Sequence, residues 1–159
     1  MGKTLKQKKD EAEKEGIHIP ADLLGDKNIV GIYGFFAIEK DEEHCFYIGK
    51  STNIAYRLLG SSDGHVYLYL KKAYSKLVPQ KINEYRNDKY EIEVRVLDTI
   101  DYHDTSFSKA AHRLALAELQ RIVLYQEQGQ CEFQIPEGSG TYERKYWEKH
   151  YKNSDVNKD

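Results

Sequence analysis

A chain of 159 residues and 18.5 kDa holds one compact core and leaves no room for a separate DNA-reading domain of ordinary size. Its 24 Lys and Arg against 26 Asp and Glu give a net charge of -2, which excludes a uniformly basic nucleic-acid coat protein. No apolar run approaches the ~18 residues of a membrane span, the opening residues hold no signal-peptide core, and Cys45 and Cys131 lack the neighbours of a zinc knuckle. The expectation is a cytoplasmic protein without membrane contact, with two reduced, partly buried thiols.

Residues 1–16 are mostly Lys, Glu, Asp and Gln, and should be weakly ordered or form a charged helix with little apolar face. Residues 17–27, with Pro20 and Gly25, read as a connecting loop that completes a charged extension over 1–27. Residues 30–38 are rich in β-branched and aromatic side chains and read as a well-buried strand. Asp41, Glu42 and Glu43 interrupt the run and residues 45–48 resume it, which makes an antiparallel hairpin. Gly49 then turns the chain into a short helix over 53–59, with Ser51 or Asn53 as N-cap and Arg57 about one turn later.

Gly60-Ser61-Ser62-Asp63-Gly64 is a turn. Val66, Leu70, Ala73 and Leu77 follow at helical spacing until Pro79 interrupts, and residues 80–86 form a second short helix. Residues 90–97 alternate most clearly of all and supply a third strand. After a polar loop, Ser106 or Ser108 caps a long helix that Gly129 ends. The expected fold class is α+β: a small three-stranded antiparallel sheet flanked by helices, with its core over 28–128, an inserted helical region and a C-terminal extension over 129–159. That extension mixes cations with Tyr146 and Trp147, a composition suited either to gripping phosphates and stacking on bases or to a helix docked on the core by its aromatics.

Charge is unevenly spread. Residues 50–89 carry eight Lys and Arg against three Asp and Glu, while the rest of the chain is acidic. Lys50, Ser51, Asn53, Arg57, Lys71 and Lys72 are therefore the candidate contacts to a phosphate backbone; a solvated lysine-rich helix face is the ordinary alternative for any one lysine. In the hairpin, Tyr33 and Tyr47 can lie side by side near Lys50 and Arg57, although cross-strand packing alone would also place them there.

Gly31-Ile32-Tyr33, then Tyr47-Ile48-Gly49-Lys50-Ser51 with Asn53 and Arg57, resembles the GIY-YIG nuclease superfamily of homing, restriction and repair endonucleases, over residues 31–125. The resemblance implies hydrolysis of DNA phosphodiester bonds with one Mg²⁺ or Mn²⁺ ion. In that family a glutamate on a late helix, followed four residues on by an aliphatic residue, holds the metal; Glu118 and Ile122 fit. Glu118 also lies inside an apolar arc of roughly 200° on its helix, where a carboxylate needs a partner: the metal, or else Arg121 or Arg57.

The resemblance gives Tyr33 the role of general base, with Lys50 and Arg57 expected to lower its pKa. Arg57 would also stabilise phosphate charge, and Tyr47 would orient the site. Relatives place a His or Tyr one turn after the arginine, where this chain has Ser61; His65, two turns after Arg57, is either its replacement or a surface histidine. The late asparagine of the family has no counterpart between Gln126 and Tyr142. Since each chain would have one site, cutting a duplex implies a homodimer or sequential nicking. The alternatives are a non-catalytic nucleic-acid-binding module and an RNA-directed or partner-dependent variant of the same fold.

Overall fold

A computed structural model describes residues 2–138 and 140–152. The central hairpin pairs β2 (Gly31–Glu39) with β3 (Glu42–Ser51), and β4 (Glu91–Thr99) pairs antiparallel on the other side of β2. These three strands follow the expected sheet, but the sheet is mixed and has four strands, not three. Residues 17 and 18 form β1 (Ile17–His18), which runs parallel to β4 in the order β1-β4-β2-β3. Two residues are too few for an alternation to show in sequence. The pairing rests on Ile17, fully buried, and on the Ile92 amide donating to the Gly16 carbonyl at 2.9 Å.

Helices cover both faces. On one side lie α1 (Leu5–Lys14), α2 (Ile54–Leu59), α3 (His65–Leu70) and α4 (Leu77–Asn87), around a core that includes Tyr33, Phe35, Leu58, Ile82 and Val94. On the other lies α5 (Phe107–Glu127), packed on Ile32, Phe36 and Ile48. A 3₁₀ turn at Ala21–Leu24 and a last helix, α6 (Thr141–His150), complete the described elements. Among the described residues, no helix is long and apolar enough to cross a membrane.

The charged opening is the helical one of the two alternatives. Thr4 and Gln7 form a reciprocal capping box at its start. It docks through a cation: Lys8, only 6% exposed, donates to the Leu59 carbonyl at 3.0 Å and to Ser61 Oγ at 3.2 Å, and its ammonium sits over the Tyr67 ring. Residues 17–27, expected as loop, contribute β1 and the 3₁₀ turn. Pro79 does not break a helix either. It lies in the first turn of α4, where the missing N–H has no intrahelical acceptor to lose.

Two bulges shape the sheet beside the helices. Phe35 pairs with Tyr47 while Phe36 pairs with Cys45, so Phe46 is the extra residue and both Phe46 and Tyr47 reach the same core. A second register shift, between Ile32 and Tyr33, falls against β4.

Candidate active site

Tyr33 stands near the start of β2 and Tyr47 on β3, diagonal neighbours on one face, with ring centroids 6.4 Å apart. Gly49, opposite Tyr33, is required by packing: a Cβ there would overlap the Tyr33 hydroxyl and ring. The phenol thus lies directly over the strand backbone. Its hydroxyl shares a 3.0 Å hydrogen bond with His65 Nε2. His65 opens α3 after Gly64, whose position leaves no space for a side chain against the carbonyls of Leu58 and Gly60. The 60–64 turn therefore delivers the imidazole under the sheet. Tyr33, Tyr47 and His65 form one aromatic cluster, with His65 at 5.3 Å from the Tyr47 ring and 6.1 Å from Tyr33.

His65 is not a surface histidine. It is buried, and Ser61, one turn after Arg57, faces away toward Lys8 on α1. Burial, followed by the charges of Arg57 and Lys76, holds the imidazole down to about 3, so it is neutral in ordinary buffers. Tyr33 shifts the other way. Burial, then the neighbouring Tyr47, pushes its phenol above the usual range, and the opposing charge of Arg57 does not reverse this. The expected lowering by cations is overruled because desolvation of the phenolate is the larger effect. Tyr47 is also pushed up, first by burial and then by Glu118.

Arg57, on α2, donates to the Asp63 carbonyl at 2.9 Å, which fixes it across the 60–64 turn. Asn53 caps this helix by accepting from the Tyr56 amide at 3.1 Å, and Ser51 Oγ accepts from the Asn53 amide at 2.9 Å. Both polar side chains thus hold the approach from β3 to Arg57.

Lys50 projects from the opposite face of β3, toward α5. Its ammonium lies 3.8 Å from Glu118 and 3.5 Å from Glu137. The alternative partners of Glu118 are engaged elsewhere: Arg121 makes two hydrogen bonds to Asp98, at 2.6 and 2.9 Å, and Arg57 holds the turn. Burial raises the pKa of Glu118, Lys50 opposes this and Glu137 adds to it. A half-buried carboxylate whose ionisation is under-compensated is suited to a cation. Among the described residues no group of three or more His, Cys, Asp or Glu stands together, so a hard cation at Glu118 would draw its remaining ligands from water and phosphate oxygens.

Because β3 is an edge strand, a groove beside it joins the two faces. Its lining includes Tyr47, Lys50, Glu118, Gln134 and Glu137, with Leu119 and Phe133 on its apolar wall. Lys71 and Lys72 do not line it. They follow α3, Lys71 as its C-cap, and Lys72 borders a different groove shared with Glu11 of α1 and with Glu15, the C-cap of α1. Lys76, by contrast, lies close enough to influence His65.

Sequence reasoning missed the strap over residues 130–137. Gln130 accepts from the Cys45 amide at 2.7 Å, the Cys131 amide donates to the Cys45 carbonyl at 3.0 Å, and the Gln134 carboxamide bonds both the N–H and the C=O of Ile48. Side-chain amides thus close the open edge of β3 in place of a fifth strand. The two cysteines meet here, both fully buried, with sulfurs 3.6 Å apart. Gln134 stands on the wall of the groove beyond the α5 glutamate, in the stretch where no asparagine was found. Of the two alternatives for the C-terminal extension, docking of α6 on the core does not occur: all ten of its residues are exposed, and it adjoins the strap at Glu132, Ile135 and Pro136.

No family model matches the chain, and no curated protein and no solved structure matches it significantly.

Proposed function

We propose that this protein is a metal-dependent endonuclease of GIY-YIG type that hydrolyses DNA phosphodiester bonds. The observation that carries the reading is the groove along the edge strand β3, which sets Lys50 and the half-buried Glu118 beside Tyr47, whose ring packs on the buried, hydrogen-bonded Tyr33–His65 pair near Arg57. Packing alone does not call for a carboxylate and an ammonium in one groove beside a hydrogen-bonded tyrosine and histidine.

A divalent cation at Glu118 would supply charge neutralisation at the scissile phosphate. Arg57 and Lys50 would hold the non-bridging oxygens, Arg57 from the α2 side and Lys50 from the α5 side. Tyr33 would take the proton of the attacking water as it passes its own to His65 Nε2, with the imidazole proton on Nδ1. This relay removes the need for a free phenolate, which burial disfavours. A bound phosphate would offset the Arg57 charge that helps to depress His65, making the imidazole a better proton acceptor when substrate is present. Tyr47 would position the water, and Gln134 would keep the strand segment carrying Tyr47 and Lys50 in place.

The rival reading is a nucleic-acid-binding module without chemistry. Glu118→Ala separates the two when duplex and single-stranded DNA are incubated with Mg²⁺, Mn²⁺ or EDTA and binding is measured in EDTA. The nuclease reading expects cleavage lost and binding retained. Equal cleavage by the variant, or binding without cleavage by the parent in every metal, would overturn it.

A further inference from the structure

Helix α5 carries more apolar surface than the sheet covers. Ala110 and Leu114 are its buried residues, with Ala117, Ile122 and Tyr125 packed beside them, and its main packing partners are β3 and β2. At about 100° per residue, Leu116 and Val123 fall on the opposite side, with Leu124 on one flank and Leu119 on the flank that faces the groove; they are 55, 53, 45 and 45% exposed. Leu116, Gln120, Val123 and Glu127 repeat the four-then-three spacing of a helix-pairing seam, with Leu124 beside them. A contiguous apolar stripe of this kind marks an interaction surface.

The charges flanking the stripe select its occupant. On the same exposed face, Lys109, His112 and Arg113 precede it and Glu127 follows it. A second α5 laid parallel would set the cationic ends against each other. Laid antiparallel across a two-fold axis near Gln120, it sets Leu116 against Leu124 and Arg113 against Glu127, each contact made twice. We infer that α5 is the contact helix of a two-fold symmetric homodimer, packed antiparallel on α5 of a second copy. The stripe is then covered by its own image, and both charge ends meet their complements.

This assignment needs neither metal nor DNA, so it stands or falls independently of the nuclease reading. Sedimentation equilibrium of the full chain tests it, and circular dichroism verifies that each variant is folded. The wild type is expected at twice the chain mass. Leu116→Lys combined with Val123→Lys, which places four cations in the seam, should raise the dimer dissociation constant by roughly thirtyfold or more. Arg113 also pairs with Asp104, so the charge swap is judged against Arg113→Glu alone. That single change should weaken the dimer, and adding Glu127→Lys should restore it. A monomeric wild type would overturn the assignment and leave the stripe to another protein or to the chain's own C-terminal segment. A dimer that the paired lysines leave intact would overturn it equally.

Discussion

Acid should destabilise this protein through His65. The imidazole packs against Tyr33, Phe35 and Tyr47, and burial, followed by Arg57 and Lys76, lowers its pKa from 6.5 to about 3. Between those values the unfolded chain takes up a proton that the folded chain refuses. The stability contributed by neutral His65 is therefore fully present above pH 6.5 and is lost as the pH falls toward about 3. At 1.36 kcal/mol per pH unit, the loss is about 2 kcal/mol at pH 5 and roughly 3 kcal/mol at pH 4, a large share of an ordinary domain's total. His65→Gln removes the titration while its carbonyl oxygen can still accept from the Tyr33 hydroxyl. Urea unfolding of both proteins at pH 7, 5 and 4 should be followed by far-UV circular dichroism, because the single tryptophan, Trp147, sits on the exposed α6. Both forms lose stability in acid as Glu43 and Asp98, held low by Arg95 and Arg121, are protonated. The difference between them isolates the histidine. Stability curves that run parallel from pH 7 to pH 4 would refute the buried, neutral assignment.

Glu118→Gln should stabilise the fold at neutral pH: the raised carboxylate favours folding when protonated, and that contribution fades as pH rises through its folded pKa. A denaturant midpoint at pH 7.5 unchanged or lowered by the substitution would count against this. Gly49→Ala should cost about 1–3 kcal/mol through overlap with the Tyr33 ring; a melting temperature equal to that of the parent would show that the phenol does not lie against the backbone. Gln134→Ala frees both backbone groups of Ile48, for about 1–2 kcal/mol, and should speed hydrogen exchange at that amide. Unchanged exchange would refute the strap.

The three antiparallel strands were legible, and the N-caps narrowed to two candidates each, of which Asn53 and Ser106 cap, because period-2 runs and cap residues are local signals. The side-by-side placement of Tyr33 and Tyr47 was legible too, since a hairpin register fixes which residues are neighbours, whereas Lys50 leaves the other face of β3. What was not legible depended on distant partners. Lys8 docks α1 by reaching the end of α2, a contact across 51 residues that no apolar pattern announces. The strap over residues 130–137 pairs with β3 through glutamine side chains, which have no strand periodicity. The direction of the Tyr33 shift escaped for a related reason: the nearby cations are visible in sequence, whereas the depth of burial that outweighs them is not.

The rate at which supercoiled plasmid is nicked in Mg²⁺ by the folded protein, beside Tyr33→Phe and Glu118→Ala, tests the central claim most directly. The account predicts metal-dependent nicking that each substitution reduces by at least about a hundredfold, on the scale of losing a general base or an electrostatic stabiliser. Nicking that survives both substitutions, or its absence in Mg²⁺ and Mn²⁺ alike, would contradict it.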